Sequence, residues 1–295
     1  MNSQIPTGQP VPMDWQVSGL RLAGLSWGNV GDKPLLALHG WLDNAASFAF
    51  LAPMLQGYHV VALDLTGHGQ SDRRSDDASY QIWDDLPEIL GVIDELGWDS
   101  FDLMGHSRGA IISSILASAY PERVQKLVLL DAVTPAAVAE TEFPAQMRRA
   151  LADKPRLLSR ENRVFSSVQE AAAARQVKGI SPAAAALLAE RNLCDCPDGL
   201  TWTTDPRLRG ASAVKLTEGQ VRAVLEALSM PVLLLLARDA SQRLPELASH
   251  ARRFIKELDV HEIDGGHHFH MESPVSDVAQ RIIRFLATEQ DCQSA

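Results

Sequence analysis

The pentapeptide G-H-S-R-G, centred on Ser107, constrains the fold of this chain more than any other feature. It directly follows an apolar run, Phe101 to Met104, and precedes a stretch of helical period from Ala110 onward. A turn from strand to helix is too tight for side chains two positions before and after the serine, which accounts for the two glycines. Because the flanking pattern argues against a chance match, the sequence predicts a strand, a sharp turn that exposes the Ser107 hydroxyl, and a helix.

Short apolar runs alternate with longer stretches of helical period on both sides of this turn. An antiparallel pair is predicted over residues 15–27, and buried strands over 34–39, 58–64, 101–104 and 126–131. Helices are predicted over residues 45–56, 80–96 and 110–120. Strand-helix-strand repetition of this kind predicts an α/β fold with a mostly parallel central sheet flanked by helices.

This alternation stops after the strand that ends at Asp131. Residues 135–228 are alanine-rich and mostly helical in pattern, with helices predicted over 140–151, 168–177 and 182–191. Strands return at 231–237 and 259–263, and a last helix is predicted over 274–288. We therefore expect a core in two parts, 1–134 and 229–295, with a helical lid, 135–228, over the carboxyl edge of the sheet.

Charge and composition exclude several classes of protein. The 295 residues carry a formal net charge of −10, which argues against nucleic acid or an anionic membrane as a partner. The longest apolar run is far shorter than the roughly 18 residues of a membrane span. A polar, proline-rich start without a basic region predicts no secretory signal, and three cysteines suit a reduced, cytoplasmic protein. The sequence does not indicate which oligomeric state the chain adopts.

The serine hydroxyl needs a base, and the best candidate is His267 in the segment D-G-G-H-H-F-H-M-E-S-P. This segment follows the last predicted strand, so His267 is expected at the same edge of the sheet as Ser107. His268 and His270 are alternatives. His267 and His270 with Glu272 nearby also suit a metal, but no second ligand cluster accompanies them, and we predict neither a metal nor a cofactor.

The loop after residues 34–39 reads H-G-W-L-D, and its glycine allows the chain to fold back over the site. The backbone N–H groups of Trp41 in this loop and of Arg108 at the helix start are the candidate oxyanion donors. The loop over residues 64–72, rich in His and Asp, is expected to be scaffold, and we do not predict His68 as the base.

Other charged or thiol side chains are expected to have structural roles. Arg148, Arg149 and Arg175 are predicted to lie on solvated helix faces. Cys194 and Cys196 are predicted to be reduced thiols, because no second cysteine pair lies at zinc-finger spacing.

The order of these motifs (HGW, DxxGHGxSD, GHSxG, a helical stretch and the histidine loop) resembles the α/β-hydrolase superfamily over almost the whole chain. The segment L-H-G-W-L-D-N-A is similar to the serine hydrolase-like, or kraken-type, esterase group. The resemblance implies Ser107 as nucleophile, His267 as base, and the N–H groups of Trp41 and Arg108 as oxyanion donors.

The position of the triad acid departs from the pattern of many relatives. They place it last in a G-x-x-D segment after the penultimate strand, where this chain has A-R-D-A, with Asp239 one position early and Ala240 in the expected place. Other members place it after the strand that follows the nucleophile helix, which is Asp131 here. We predict Asp131, with Asp239 as the alternative.

Together these features predict a serine esterase that cleaves a small to medium, largely apolar carboxylic ester through an acyl-enzyme on Ser107. A thioesterase, a lactonase or a carbon–carbon bond hydrolase would use the same residues. A sensor that keeps the triad but signals through a partner is a different class that the sequence leaves open.

Overall fold

The computed structural model describes residues 8–176, 180–239 and 244–287. Its strands are β1 Val11–Val17, β2 Leu20–Trp27, β3 Lys33–Leu38, β4 Tyr58–Leu63, β5 Phe101–His106, β6 Val124–Leu130, β7 Val164–Phe165, β8 Leu193–Cys196, β9 Gly199–Trp202, β10 Val232–Ala237 and β11 Leu258–Ile263. Its α-helices are α1 Leu86–Glu95, α2 Arg108–Ala119, α3 Phe143–Leu158, α4 Val168–Gln176, α5 Pro182–Arg191, α6 Glu218–Ala227, α7 Leu244–Phe254 and α8 Val275–Ala287.

Eight strands form one sheet in the order β1-β2-β4-β3-β5-β6-β10-β11. Strand β2 pairs antiparallel with β1 and β4, and every pairing from β4 through to β11 is parallel. This confirms the predicted α/β fold with a mostly parallel central sheet and helices on its faces.

Strand β3 shows why the central runs are apolar at every position. Leu36 and Leu38 point into the core on one face of the sheet, whereas Leu35 and Ala37 point into the core on the other. Successive side chains of a strand alternate between faces, so a strand covered by helices on both sides needs apolar residues throughout. The parallel strands β3, β5, β6 and β11 end at the same edge, and Trp41, Ser107, Asp131 and His267 lie after them.

Residues 135–228, the inserted segment, contain α3 to α6 and a small antiparallel sheet in the order β7-β9-β8. The pattern did not predict this sheet, because its strands have only two to four residues and are partly exposed. Helices α4 and α5 share a small apolar core with Phe165 and with Met271 of the histidine loop. The last helix, α6, instead inserts Val221 and Leu225 into the main core.

Some predicted helices differ from the observed ones. The predicted helix over 45–56 is two short 3-10 turns, Ala45–Phe48 and Ala52–Met54, the first capped by the Asn44 side chain and the second containing Pro53 near its start. Helix α1 begins at Leu86 rather than near 80, because the Asp84 carboxylate accepts the backbone N–H of Gln81 and holds a turn there. Helices α6 and α7 were not predicted. Among the described residues, no helix has the length and apolar character to cross a membrane.

Candidate active site

Ser107 occupies the sharp turn between β5 and α2 in a strained backbone conformation, with φ 52° and ψ −115°. Positive φ is rare for a residue with a side chain and costs on the order of 1–3 kcal/mol. The flanking glycines have no room for a side chain. A Cβ on Gly109 would lie 2.0 Å from the Leu38 carbonyl oxygen, and one on Gly105 would lie 2.4 Å from the Gly109 carbonyl oxygen. The two glycines are therefore a packing requirement of the turn.

His267 lies between Ser107 and Asp131. Its Nε2 is 2.9 Å from Ser107 Oγ, and its Nδ1 is 2.5 Å from Asp131 Oδ2. A carboxylate accepts only, so Nδ1 carries the proton of the neutral ring and Nε2 directs its lone pair at the serine hydroxyl. The His267 side chain is 42% exposed while that of Asp131 is 2% exposed, so the chain of contacts runs from a solvent-accessible ring to a buried carboxylate.

Asp131 directly follows β6 and also has positive φ, 59°. Its backbone N–H donates to the Leu235 carbonyl, and its Oδ1 accepts the backbone N–H of Ala237 at 2.8 Å. Both carboxylate oxygens are thus oriented, one by β10 and one by His267. Asp239 is exposed, and its backbone N–H donates to the Gly265 carbonyl. The tertiary structure therefore brings Asp131, rather than Asp239, to His267.

The loop after β3 forms a turn in which the Asp43 N–H donates to the Gly40 carbonyl at 3.1 Å and Leu42 has φ 62°. Trp41 is at the exposed corner of this turn, and its indole Nε1 donates to the Leu208 carbonyl of the inserted segment at 2.9 Å. Arg108 is the first residue of α2, where a backbone N–H has no acceptor within the helix. Both candidate oxyanion donors thus lie at the sheet edge that carries Ser107.

A mostly buried polar cluster that we did not predict from the sequence adjoins Ser107 and His267. It consists of Asp43, His106, His268 and His270, and we call it the rear cluster. His106 Nε2 donates to the His267 carbonyl at 2.8 Å, and His268 Nε2 lies 3.2 Å from Asp43 Oδ2. The aspartate in H-G-W-L-D and the three histidines in G-G-H-H-F-H were its sequence signals.

Arg175 of α4 completes this cluster, and the prediction that it lies on a solvated face is wrong. Its Nη2 is 2.5 Å from Asp43 Oδ1, and its Nη1 donates to the Leu42 carbonyl at 2.8 Å. A long side chain on a polar helix face reaches a buried carboxylate on a different loop, which no local pattern reveals. Arg148 and Arg149 are exposed, as predicted.

Burial and charge fix the protonation of the rear cluster. Burial alone would raise the pKa of Asp43, but the hydrogen bond from His268 and the charges of His268 and Arg175 hold it below its ordinary value. Burial lowers the pKa of His106 well below the usual range and lowers that of His270 to about 3. Asp43 is therefore ionised, and His106 and His270 are neutral.

The loop over residues 64–72 has the scaffold geometry that its glycines suggested. Buried Asp64 accepts the backbone N–H groups of Ala45 and Gln70 and binds Arg191 of α5 at 2.9 Å. A Cβ on Gly69 would lie 2.3 Å from this carboxylate. His68 is buried, and burial lowers its pKa well below the usual range.

Outside this edge, Cys194 and Cys196 on β8 are free thiols, one exposed and one half-buried. Among the described residues, the carboxylate and imidazole atoms close enough to share a metal ion belong to Asp43, His106 and His268, within 4.8 Å of one another. The set considered from the sequence, His267 with His270 and Glu272, is a different one.

Comparisons with known proteins identify relatives of this fold. The family model described as alpha/beta hydrolase fold matches residues 33–178. A serine hydrolase-like protein of Dictyostelium discoideum is 30% identical over 93% of this chain and 80% of its own length. The crystal structure of a hypothetical protein from Pseudomonas aeruginosa PAO1 is 36% identical, with a TM-score of 0.87 over 95% of this chain and all of that one.

A thioesterase domain from the curacin biosynthetic pathway is 25% identical, with a TM-score of 0.82 over 95% of this chain and all of that domain. The motif order read from the sequence, the mostly parallel sheet and these similarities agree. The chain belongs to the α/β-hydrolase superfamily and, within it, to the group of serine hydrolase-like proteins.

Proposed function

We propose that this hydrolase cleaves carboxylic esters through an acyl-enzyme on Ser107. The observation that carries the proposal is the continuous chain of contacts from Ser107 Oγ to His267 Nε2 at 2.9 Å and from His267 Nδ1 to Asp131 at 2.5 Å. A nucleophile within reach of its base, and a base oriented by a third group, is the arrangement that acyl transfer requires.

In the first half of the reaction, His267 Nε2 takes the hydroxyl proton while Ser107 Oγ attacks the carbonyl carbon of the ester. The tetrahedral intermediate collapses as His267 returns the proton to the leaving alcohol, which leaves an acyl-serine. A water molecule, deprotonated by His267, then attacks the acyl carbon and releases the acid and free Ser107. Asp131 holds the Nδ1–H tautomer and stabilises the imidazolium in each half.

The backbone N–H groups of Trp41 and Arg108 are our candidates for binding the oxyanion of both intermediates. Two features support them: the positive φ of Leu42, which turns the loop after β3, and the position of Arg108 at the start of a 12-residue helix. One such donor is worth about 10²–10³ in rate. Both roles use backbone atoms, so the Trp41 side chain remains available for its contact with Leu208.

We also propose that residues 135–217 act as the lid over this edge. Three polar contacts support this role by joining the segment to loops that carry the site: Trp41 with Leu208, Arg175 with Asp43, and Asn44 with Leu188. Helix α6 is left out because it packs into the main core.

Thioester hydrolysis is the second candidate, favoured by the similarity to the curacin thioesterase domain. The test is a steady-state turnover screen of aryl esters of increasing acyl length, with a matched thioester and a lactone. We expect multiple turnovers with esters, and a higher kcat/KM for the ester than for the thioester of the same acyl group. The reverse ranking would favour the thioesterase, and a single slow turnover with every substrate would favour a sensor.

Labelling with a fluorophosphonate probe tests the identity of the nucleophile independently of the substrate. We expect one label per chain, on Ser107, and loss of both labelling and turnover in Ser107→Ala, because a serine-triad nucleophile contributes on the order of 10⁶ in kcat. Ser113, a buried serine whose hydroxyl donates to the Gly109 carbonyl within α2, provides the control, because Ser113→Ala should still be labelled. Turnover within tenfold of the parent in Ser107→Ala would overturn the assignment.

A further inference from the structure

Three side chains of the rear cluster direct polar atoms at one point. Asp43 Oδ2 is 3.2 Å from His268 Nε2 and 3.8 Å from His106 Nδ1, and the three atoms all lie within 4.8 Å of one another. They come from three places along the chain: Asp43 from the turn after β3, His106 from the last position of β5, and His268 from the histidine loop after β11. None of the three belongs to the contact chain from Ser107 to Asp131.

The hydrogen bonding of His106 indicates that a ligand binds at this point. Its Nε2 must donate, because its partner is the His267 carbonyl, so the neutral ring directs the lone pair of Nδ1 at Asp43. The ring is completely buried, and Nδ1 has no hydrogen-bond partner among the described residues. An imidazole lone pair and a carboxylate oxygen, both acceptors, thus face each other at 3.8 Å. A buried acceptor without a donor costs about 1–3 kcal/mol.

Gly40 packs closely against these atoms, and a larger residue would not fit there. A Cβ on Gly40 would lie 2.8 Å from Asp43 Oδ2 and 2.9 Å from His106 Nδ1. An ion bound to both atoms at zinc distances of about 2.0–2.2 Å would span a separation of up to roughly 4.2 Å, which includes the one observed.

We propose that Asp43 Oδ2, His106 Nδ1 and His268 Nε2 bind one divalent transition-metal ion of the zinc type. One carboxylate and two imidazoles are ligands that Zn²⁺ accepts, and a fourth position would take water. His268 releases its Nε2 proton on binding, and His106 already presents a lone pair. From the sequence we predicted no metal, because the candidate ligands there were centred on His267.

Arg175 modifies the site without blocking it. It binds Asp43 through Oδ1, whereas the proposed ion uses Oδ2, so the carboxylate bridges the guanidinium and the metal. The arginine charge repels a cation at this distance, and binding is therefore weaker than in a zinc site without a neighbouring cation. Because the ion would link two loops to the end of β5 at one sheet edge, its expected effect is to stabilise the fold.

The test is calorimetric titration of the full chain with Zn²⁺, together with thermal unfolding. We expect one ion per chain and a rise in Tm of about 4 °C when zinc exceeds its Kd a hundredfold. His268→Gln should lose both effects. Zinc binding that His268→Gln retains unchanged would overturn the proposal.

Two control variants exclude other zinc ligands. His267→Ala removes the candidate base and should still bind one ion, so the result does not depend on activity or on the proposed function. The double variant Cys194→Ser/Cys196→Ser should also bind one ion. Loss of binding in either variant would contradict the proposal. Should His268→Gln fail to fold, X-ray absorption of the parent zinc complex decides: imidazole scattering without sulfur supports the site, and sulfur scattering overturns it.

Discussion

Two adjacent histidines make the same kind of contact in opposite surroundings. His267 reaches Asp131 through Nδ1 and is 42% exposed, whereas His268 reaches Asp43 through Nε2 and is 14% exposed. The Asp43 carboxylate that His268 contacts also binds Arg175, and the neighbouring His106 and His270 are completely buried. The second oxygen of the Asp131 carboxylate, which His267 contacts, accepts the backbone N–H of Ala237.

The two histidine–aspartate pairs are suited to different roles. A ring with one face in water and a serine on its free nitrogen can exchange a proton with a substrate. A ring that shares a buried carboxylate with an arginine is held in place by a network of buried polar contacts. We therefore expect substitutions at the Asp131 pair to change the rate, and substitutions at the Asp43 pair to change stability.

The largest expected effect is on catalysis at the exposed pair. Asp131→Asn keeps the shape of the side chain but removes the carboxylate that selects the His267 tautomer, so kcat should fall by about 10²–10⁴. Asp239→Asn is the matched control and should stay within tenfold of the parent. Steady-state kinetics on the best ester, with folding checked by circular dichroism, measures both. The reverse pattern would move the acid to Asp239, and equal large losses would mean that both carboxylates contribute.

The next effect is on stability at the buried pair. Arg175→Ala leaves the Asp43 carboxylate buried without its guanidinium, which should lower the free energy of unfolding by about 3–5 kcal/mol. Arg163, in the same inserted segment, binds Glu170 with 62% of its side chain exposed, and Arg163→Ala should cost less than about 1 kcal/mol. Urea denaturation of both variants measures the contrast. Equal losses of unfolding free energy in the two variants would show that the buried Arg175–Asp43 pair stabilises the fold no more than the exposed Arg163–Glu170 pair.

The smallest expected effect is a change in how steeply the free energy of unfolding depends on pH. Burial lowers the pKa of His270 to about 3, while an imidazole in the unfolded chain has an ordinary pKa of about 6.5. Between these values the unfolded chain binds one more proton at this residue, so its contribution to stability is present above about pH 6.5 and is lost as the pH falls. The loss is at most about 1.4 kcal/mol per pH unit.

His270→Gln removes this titration, so its free energy of unfolding should fall less steeply than that of the parent between about pH 6 and 4. Urea denaturation at several pH values measures the two slopes. The pKa values of His39, His68 and His106 are also lowered. The free energy of unfolding of the variant should therefore still depend on pH, but less steeply. Identical slopes would show that His270 does not stay neutral in the folded protein.

The parts of the fold and of the candidate site that could be predicted from the sequence are those whose residues are close together in the chain. The turn around Ser107 was predictable, because its two glycines and the flanking strand and helix are contiguous in the chain. So were the buried strands, whose continuous apolar runs reflect cores on both faces of the sheet. Short strands such as β8 were not, because they carry little apolar periodicity.

Contacts between distant segments could not be predicted from the sequence, because they depend on the tertiary structure. Ser107 and His267 are 160 positions apart, and His267 and Asp131 are 136 apart. The sequence left two candidate acids, and the pairing of β6 with β10 brought the Asp131 carboxylate to both Ala237 and His267. The sequence also treated Arg175 as a surface residue, although α4 directs it to buried Asp43. Residue types and spacing determine which chemistry a chain can carry, but the packing of elements decides which charges meet and which are shielded from water.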